Sequence, residues 1–197
     1  MPPATDPRSP RIARAALLLL FLGATLGSAL DGIHTHFGAT QYARPGLFLM
    51  AWWTPILFAA AFAVGVLRPL LDRWALRSGS PAPLPRWMHV IVTLSLFVAA
   101  YWNSVMPLPW PYVSGMMLAT FGLGWLVSDR TPLTLGIAVV AAIGGPAVEA
   151  LLVSQGAFQH LQDTAFGLPG WLPFLYLNAA IALTTLARFL SAPSPAQ

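Results

Sequence analysis

The chain has 197 residues, 57% of them hydrophobic and only 8% charged. A soluble domain carries about 25% charged residues, so no water-facing surface can be built from this composition. It contains no cysteine, which excludes disulfides, thiolate metal sites and thiol catalysis. The net charge is +4, all ten basic residues are arginine, and their placement marks membrane topology rather than nucleic-acid binding.

Six apolar stretches are long enough to cross a bilayer, which needs roughly 20 helical residues. In chain order they are Ile12–Leu30, Gly46–Leu67, Trp87–Met106, Trp110–Ser128, Leu133–Val153 and Trp171–Leu190. The first follows Arg11 and Arg14 but has no small-residue cleavage site before a polar region, so it reads as a retained helix. The expected fold is all-α: a single domain over 12–190, a bundle of six transmembrane helices, with disordered tails at 1–11 and 191–197. Arg8, Arg11, Arg14, Arg68, Arg73, Arg77, Arg86, Arg130 and Arg188 fall on one side of such a bundle and only Arg44 on the other. That bias places both termini in the cytoplasm. Ser78–Pro85 reads as a stiff link, and Pro107, Pro109 and Pro111 form an outer turn that neither flanking helix can enter. Gly23 and Gly27, and the stripe Gly115, Ala119 and Gly122, allow close helix approach. Such stripes either hold the bundle together or face another subunit.

Few polar residues lie within these stretches. Glu149 sits about one turn from the outer end of the fifth, just after Gly144-Gly145-Pro146, where the proline should bend the helix. A carboxyl group at that depth faces the bundle interior, either as a paired structural group or as a hydrogen-bonding partner for a ligand head group. Asp31, His34 and His36 end the first stretch, but H-x-H without a third ligand makes a poor metal site, and none is expected. Most tryptophans fall near the boundaries as interface anchors. Tyr101 and Trp102 are deeper and could line a cavity. The candidate ligand-facing set is Trp53, Tyr101, Trp102, Asn103, Gly145 and Glu149. Asp129 ends the fourth helix, where the macrodipole disfavours a carboxylate, while Thr131-Pro132 already supplies the next helix start. It is either a bridge to an arginine such as Arg130, Arg73 or Arg188, or an exposed recognition residue. No G-x-S-x-G, H-E-x-x-H or glycine-rich phosphate loop is present, so no catalytic residue is nominated.

Several islands in order carry a family resemblance: Ala51-Trp52-Trp53 with Pro55, Pro69 with Asp72-Arg73, Asp129-Arg130, Leu151-Leu152-Val153 with Gly156 and Gln159, and Trp171-Leu172-Pro173 followed by Arg188 and Leu190. From Ala51 to Leu190 the chain resembles the Insig proteins, sterol-responsive membrane proteins of the endoplasmic reticulum. The resemblance implies six transmembrane helices with cytosolic termini around a lipid pocket. It also implies a partner surface on the third and fourth helices, engaging membrane proteins with sterol-sensing domains. Asp129 matches the family aspartate needed for Scap binding, and Phe97 looks like the family's contact phenylalanine. With Gly115, Ala119 and Gly122 these form the candidate partner-binding set. Tyr112 departs from the family, which has a glutamine there, and the family's cysteines are absent.

The absence of lysine, beside heavy use of alanine, proline and glycine, fits a GC-rich bacterial genome. A bacterial inner membrane is therefore expected rather than the endoplasmic reticulum. The expected function is non-enzymatic. The bundle would hold a neutral lipid, such as a sterol or a diacylglycerol, with no other cofactor. It would associate with itself and possess a surface for another polytopic membrane protein. The rivals are a small lipid-acting enzyme using Glu149 with a histidine, or a transporter subunit with a polar path through the bilayer. Reporters fused after Pro81 and at Gln197 are expected to be cytoplasmic, and one within Phe37–Tyr42 external. A cytoplasmic signal from the Phe37–Tyr42 fusion would reverse the orientation.

Overall fold

The computed structural model describes residues 9–75, 82–162 and 164–192. The ends of the expected tails, Arg77 and the first half of the proline-rich link lie outside the described residues. Six long helices follow one another: α1 Pro10–His36, α2 Thr54–Trp74, α3 Trp87–Ser104, α4 Trp110–Val127, α5 Pro132–Ser154 and α6 Leu172–Ser191. By length and composition α1, α2, α5 and α6 suffice to cross a membrane, and α3 and α4 have 18 residues each. Proline in the first turn starts α2, α4, α5 and α6, a position where its missing amide costs nothing.

Two expected boundaries move. α1 continues beyond Leu30 to His36, so Asp31 and His34 are helical. α2 begins at Thr54 rather than Gly46. The apolar run before it closes as a tight turn, with the Gly46 amide donating to the Met50 carbonyl at 2.7 Å. Phe48 and Leu49 have φ of 56° and 63°, a left-handed conformation that no right-handed helix can contain. α2 then runs through Pro69, after a 3-10 turn at Val64–Val66.

α6 is the central post. It packs against each of the other five helices and is buried almost continuously from Ala180 to Arg188. α1 lies close on α2 because Gly23 faces the α2 backbone: a β-carbon there would sit 2.3 Å from the Phe58 carbonyl oxygen. Close approach of this kind supplies the packing that the hydrophobic effect cannot supply in lipid. A five-residue π-helical turn, Gly23–Gly27, interrupts α1 at this contact. The ends of α2, α4 and α6 meet on one side of the bundle, here the tail side. On the far side two short hairpin pairings tie the connections: β1 Thr40–Tyr42 with β2 Phe158–His160, and β3 Thr164–Ala165 with β4 Leu168–Pro169.

A quartet of charges closes the tail side. Arg68 is fully buried and pairs with Asp72 and Asp129, while its Nε donates to the Thr134 hydroxyl at 2.8 Å. Arg188 donates to Asp72 at 2.9 Å, to Asp129 at 3.0 Å and to the Ala82 carbonyl at 2.9 Å. Asp129 also accepts from the Thr131 amide at 3.1 Å and the Thr134 hydroxyl at 3.0 Å. Two positive and two negative side chains thus sum to zero, and their hydrogen bonds join α2, the link after it, the α4–α5 turn and α6. The aspartate has a local duty after all, because it organises the start of α5. Its side chain is only 5% exposed. The bridge reading of Asp129 is therefore the one realised, with Arg68 and Arg188 as partners.

Removing one member would strand buried charge. Asp129→Ala leaves two guanidinium groups to share Asp72, and breaking a buried pair in this way costs about 3–5 kcal/mol. A clear fall in the melting temperature of the detergent-solubilised protein is expected. An unchanged melting temperature would show that the quartet does not hold the fold.

Candidate functional site

α5 has α6 as its main neighbour. It packs along α6, touches the tail-side end of α2, and meets α4 through Phe121 and Trp125 in its tail-side half. Along its length one apolar face stays uncovered: Leu135, Val139, Val140, Ile143 and Val148 are exposed, and nothing approaches Gly136 or Gly144, while near its far end Leu152 and Val153 pack on Tyr42, Met50, Ala51 and Phe158. The helix runs unbroken through Pro146. The space beside Gly145, a candidate ligand-facing position, is filled: the Tyr176 ring lies so close that a β-carbon would fall 2.2 Å from it.

Above this contact sits a polar cluster. Glu149 accepts from the Tyr176 hydroxyl on one oxygen at 2.7 Å, and the other lies 2.9 Å from His160 Nε2. A carboxylate that accepts twice leaves His160 Nε2 as the donor. His160 Nδ1 is then buried with no partner among the described residues. From α1, Asp31 accepts from the Tyr42 hydroxyl at 2.7 Å. Burial, and then the adjacent Asp31 carboxylate, hold the Tyr42 phenol well above its ordinary range, so it stays a donor. His34 stacks on Tyr101, with ring centroids 4.9 Å apart, and its Nε2 lies 2.7 Å from the Ser104 hydroxyl. Gln162 donates to the Ser104 carbonyl at 2.8 Å and accepts from the Trp171 indole. Six structural elements therefore converge on one buried, titratable cluster at the far side.

Two of its arrangements bear on chemistry. Glu149 and His160 meet the distance requirement for an acid–base pair. Asp31, His34 and Ser104 look like a nucleophile triad, but the proton inventory opposes that role. The Ser104 hydroxyl donates to the Tyr101 carbonyl at 2.5 Å, so its contact with His34 requires the imidazole to donate. A histidine donating to serine cannot take the serine proton. Ser104 is also fully buried, and His34 Nδ1 lies 3.8 Å from Asp31. Between the far-side cluster and the tail-side quartet, Asn178, Thr93 and Thr184 bond to nearby backbone carbonyls rather than to one another.

The other nominated residues scatter. Trp53 packs edge-on to Tyr42, and half-exposed Trp102 lies against Phe37. Asn103 is buried at the end of α3. Phe97 is 3% exposed among Phe62 and Tyr101, so it is a core residue in this chain and presents no face to a partner. Gly115 and Gly122 have open space beside them, and Ala119 is exposed. That stripe therefore serves no contact within the described chain. Tyr42, Tyr176 and Arg68 escaped nomination because each gains its role only across helices. Among the described residues no group of three or more histidine or acidic side chains could hold a metal ion.

No protein-family model matches the chain. Its relatives are nonetheless clear. It is 25% identical over 191 residues to the insulin-induced gene 1 protein of Danio rerio, covering 93% of this chain and 75% of the relative. Identity to an INSIG protein homolog of Mycolicibacterium vanbaalenii is 31% over 195 residues, covering 94% of this chain and 90% of that one. Among solved structures, the mycobacterial Insig homolog MvINS of Mycobacterium vanbaalenii superposes with a TM-score of 0.80 at 26% identity, covering 93% of this chain and 97% of that one. A cross-linked MvINS trimer superposes with a TM-score of 0.78 over the same shares. This likeness extends over nearly the whole six-helix bundle, and the chain is an integral, multi-pass membrane protein that belongs to the Insig family, as a member of its bacterial type.

Proposed function

We propose that this protein is a non-enzymatic lipid-binding member of its family, holding a neutral lipid beside α5. The observation that carries this reading is the exposed apolar face of α5, with the Glu149 carboxyl group near its far end. An apolar surface with few polar groups suits acyl chains or a sterol body with a small hydroxyl-bearing head. A sterol and a diacylglycerol both fit that description. The Glu149–His160 pair keeps the enzymatic alternative chemically conceivable, but no hydroxyl group bonds to that pair except the Tyr176 phenol, which donates to Glu149.

Orientation and assembly belong to the same proposal. The arginine bias places the tail side in the cytoplasm, so the Glu149 cluster faces outward. The exposed Gly115, Ala119 and Gly122 stripe on α4 suits a helix of a second copy or of another membrane protein. The trimer of MvINS favours a second and third copy. Mass spectrometry of protein purified in mild detergent should find a neutral lipid near one per chain, and light scattering of the same preparation should find an oligomer. Protein that retains only phospholipid, or none, would overturn the lipid reading; a monomer would overturn the assembly.

A further inference from the structure

We propose that the turn Gly46–Met50 is a wedge that seats Leu47, Phe48 and Leu49, with the neighbouring Trp52, among the acyl chains of the membrane leaflet on the far side. This goes beyond the reading of the α5 face and holds whatever lipid the bundle carries. All four side chains are exposed, large apolar groups on the connection between α1 and α2. Met50 and Ala51 beside them are buried with Tyr42 and Phe158. The turn therefore has a fixed inner side and an apolar outer side.

Backbone, depth and charge all name lipid as what covers that outer side. Water satisfies the polar groups of an open loop and hydrocarbon does not, so a chain entering it must close its own. Here the Gly46 amide donates to the Met50 carbonyl at 2.7 Å, the Leu49 amide to the Gly46 carbonyl at 3.3 Å and the Met50 amide to the Leu47 carbonyl at 3.2 Å. The Phe48 carbonyl accepts from the Thr35 hydroxyl of α1 at 3.3 Å. This closure puts Phe48 and Leu49 at left-handed φ, which strains side chains so large, and a turn made for water would use glycine or asparagine there. The Thr35 bond also fixes the depth of the turn. Roughly 20 helical residues of hydrocarbon, counted along α1 from Arg14, end at about residue 34, so the turn lies at the edge of the apolar core. The 21 residues of α2, Thr54–Trp74, span the same thickness and leave Trp52 at that edge, where tryptophan anchors. Trp52 and Ile56, four residues apart and both exposed, continue the apolar surface from the tip onto the lipid-facing side of α2. Arg44 is exposed two residues before Gly46, at the level where phosphates begin. Its guanidinium reaches them while its aliphatic stem lies toward the tip.

The chain has no cysteine, so a single introduced one can carry a nitroxide in the full-length protein, reconstituted in phosphatidylcholine vesicles. Labels are placed through Phe48→Cys, Arg44→Cys and Gln41→Cys, the last on an exposed position of β1. Power saturation then reads collisions with oxygen, which concentrates in hydrocarbon, and with a water-soluble nickel chelate. The label at 48 should meet oxygen more often than nickel, the label at 41 nickel more often than oxygen, and the label at 44 should fall between them. In a protein labelled through Leu47→Cys, adding Phe48→Asp should raise nickel access several-fold by lifting the tip out of the lipid. A label at 48 that meets nickel as freely as the label at 41 places the tip in water and overturns the proposal, as does unchanged nickel access at 47 in the Phe48→Asp protein. A label at 48 shielded from both reagents means that protein covers the tip and overturns it equally; spin–spin broadening between chains would then identify a second copy as the cover.

Discussion

Four charged side chains with no net charge hold the tail side of this bundle. Burying Arg68 alone would be prohibitive, and so would burying Asp129 alone. Together with Asp72 and Arg188 they satisfy one another, and their geometry then dictates where three helices end. α2 must bring Arg68 and Asp72 inward on one face, four residues apart. The α4–α5 turn must pass beneath them, with Arg130 at a positive φ of 52° beside Asp129. α6 must reach the same level with Arg188. In a bundle whose apolar faces are equally content in lipid, such a constraint fixes depth and rotation where hydrophobic packing cannot.

The far side works on a different principle. Its groups are titratable and asymmetric: carboxylates, imidazoles and phenols whose bonds depend on where protons reside. The connection after α5 is woven into this cluster through β2 and Gln162, so the α1–α2 and α5–α6 connections share one network. One end of the molecule is therefore held by ion pairs and the other by hydrogen bonds among carboxyl, imidazole and phenol groups.

The sequence made the spans and the unusual residues legible, because composition and hydropathy are local properties. Glu149, Asp31, His34 and Asp129 stand out simply as polar groups in apolar surroundings. Their partners do not. Arg68 reads as one more topological arginine, yet it is among the most buried side chains of the chain. Tyr176 reads as an ordinary aromatic, and only the fold places its ring over Gly145 and its hydroxyl on Glu149. Hydropathy alone puts the start of α2 at Gly46, because Gly46–Ala51 is as apolar as a helix would be. The better signal was the Thr54-Pro55 step, whose proline belongs in a first turn. The islands behind the family resemblance, Asp72-Arg73, Asp129-Arg130 and Arg188, are distant in sequence but converge on the quartet. Their meeting point gives them a shared physical reason.

The π turn in α1 sets the phase of that helix. Leu19, Gly23, Gly27, Asp31 and Thr35 are all buried and spaced by fours. In an unbroken α-helix, four such steps would rotate the last residue about 160° away from the first. The wider i→i+5 turn at Gly23–Gly27 takes part of that rotation back. α1 is thus two helices in different registers, one matched to the α2 backbone and one to the far-side cluster. An insertion or deletion in this turn would leave the composition of α1 almost untouched, yet it would carry Asp31 and His34 round toward the hydrocarbon.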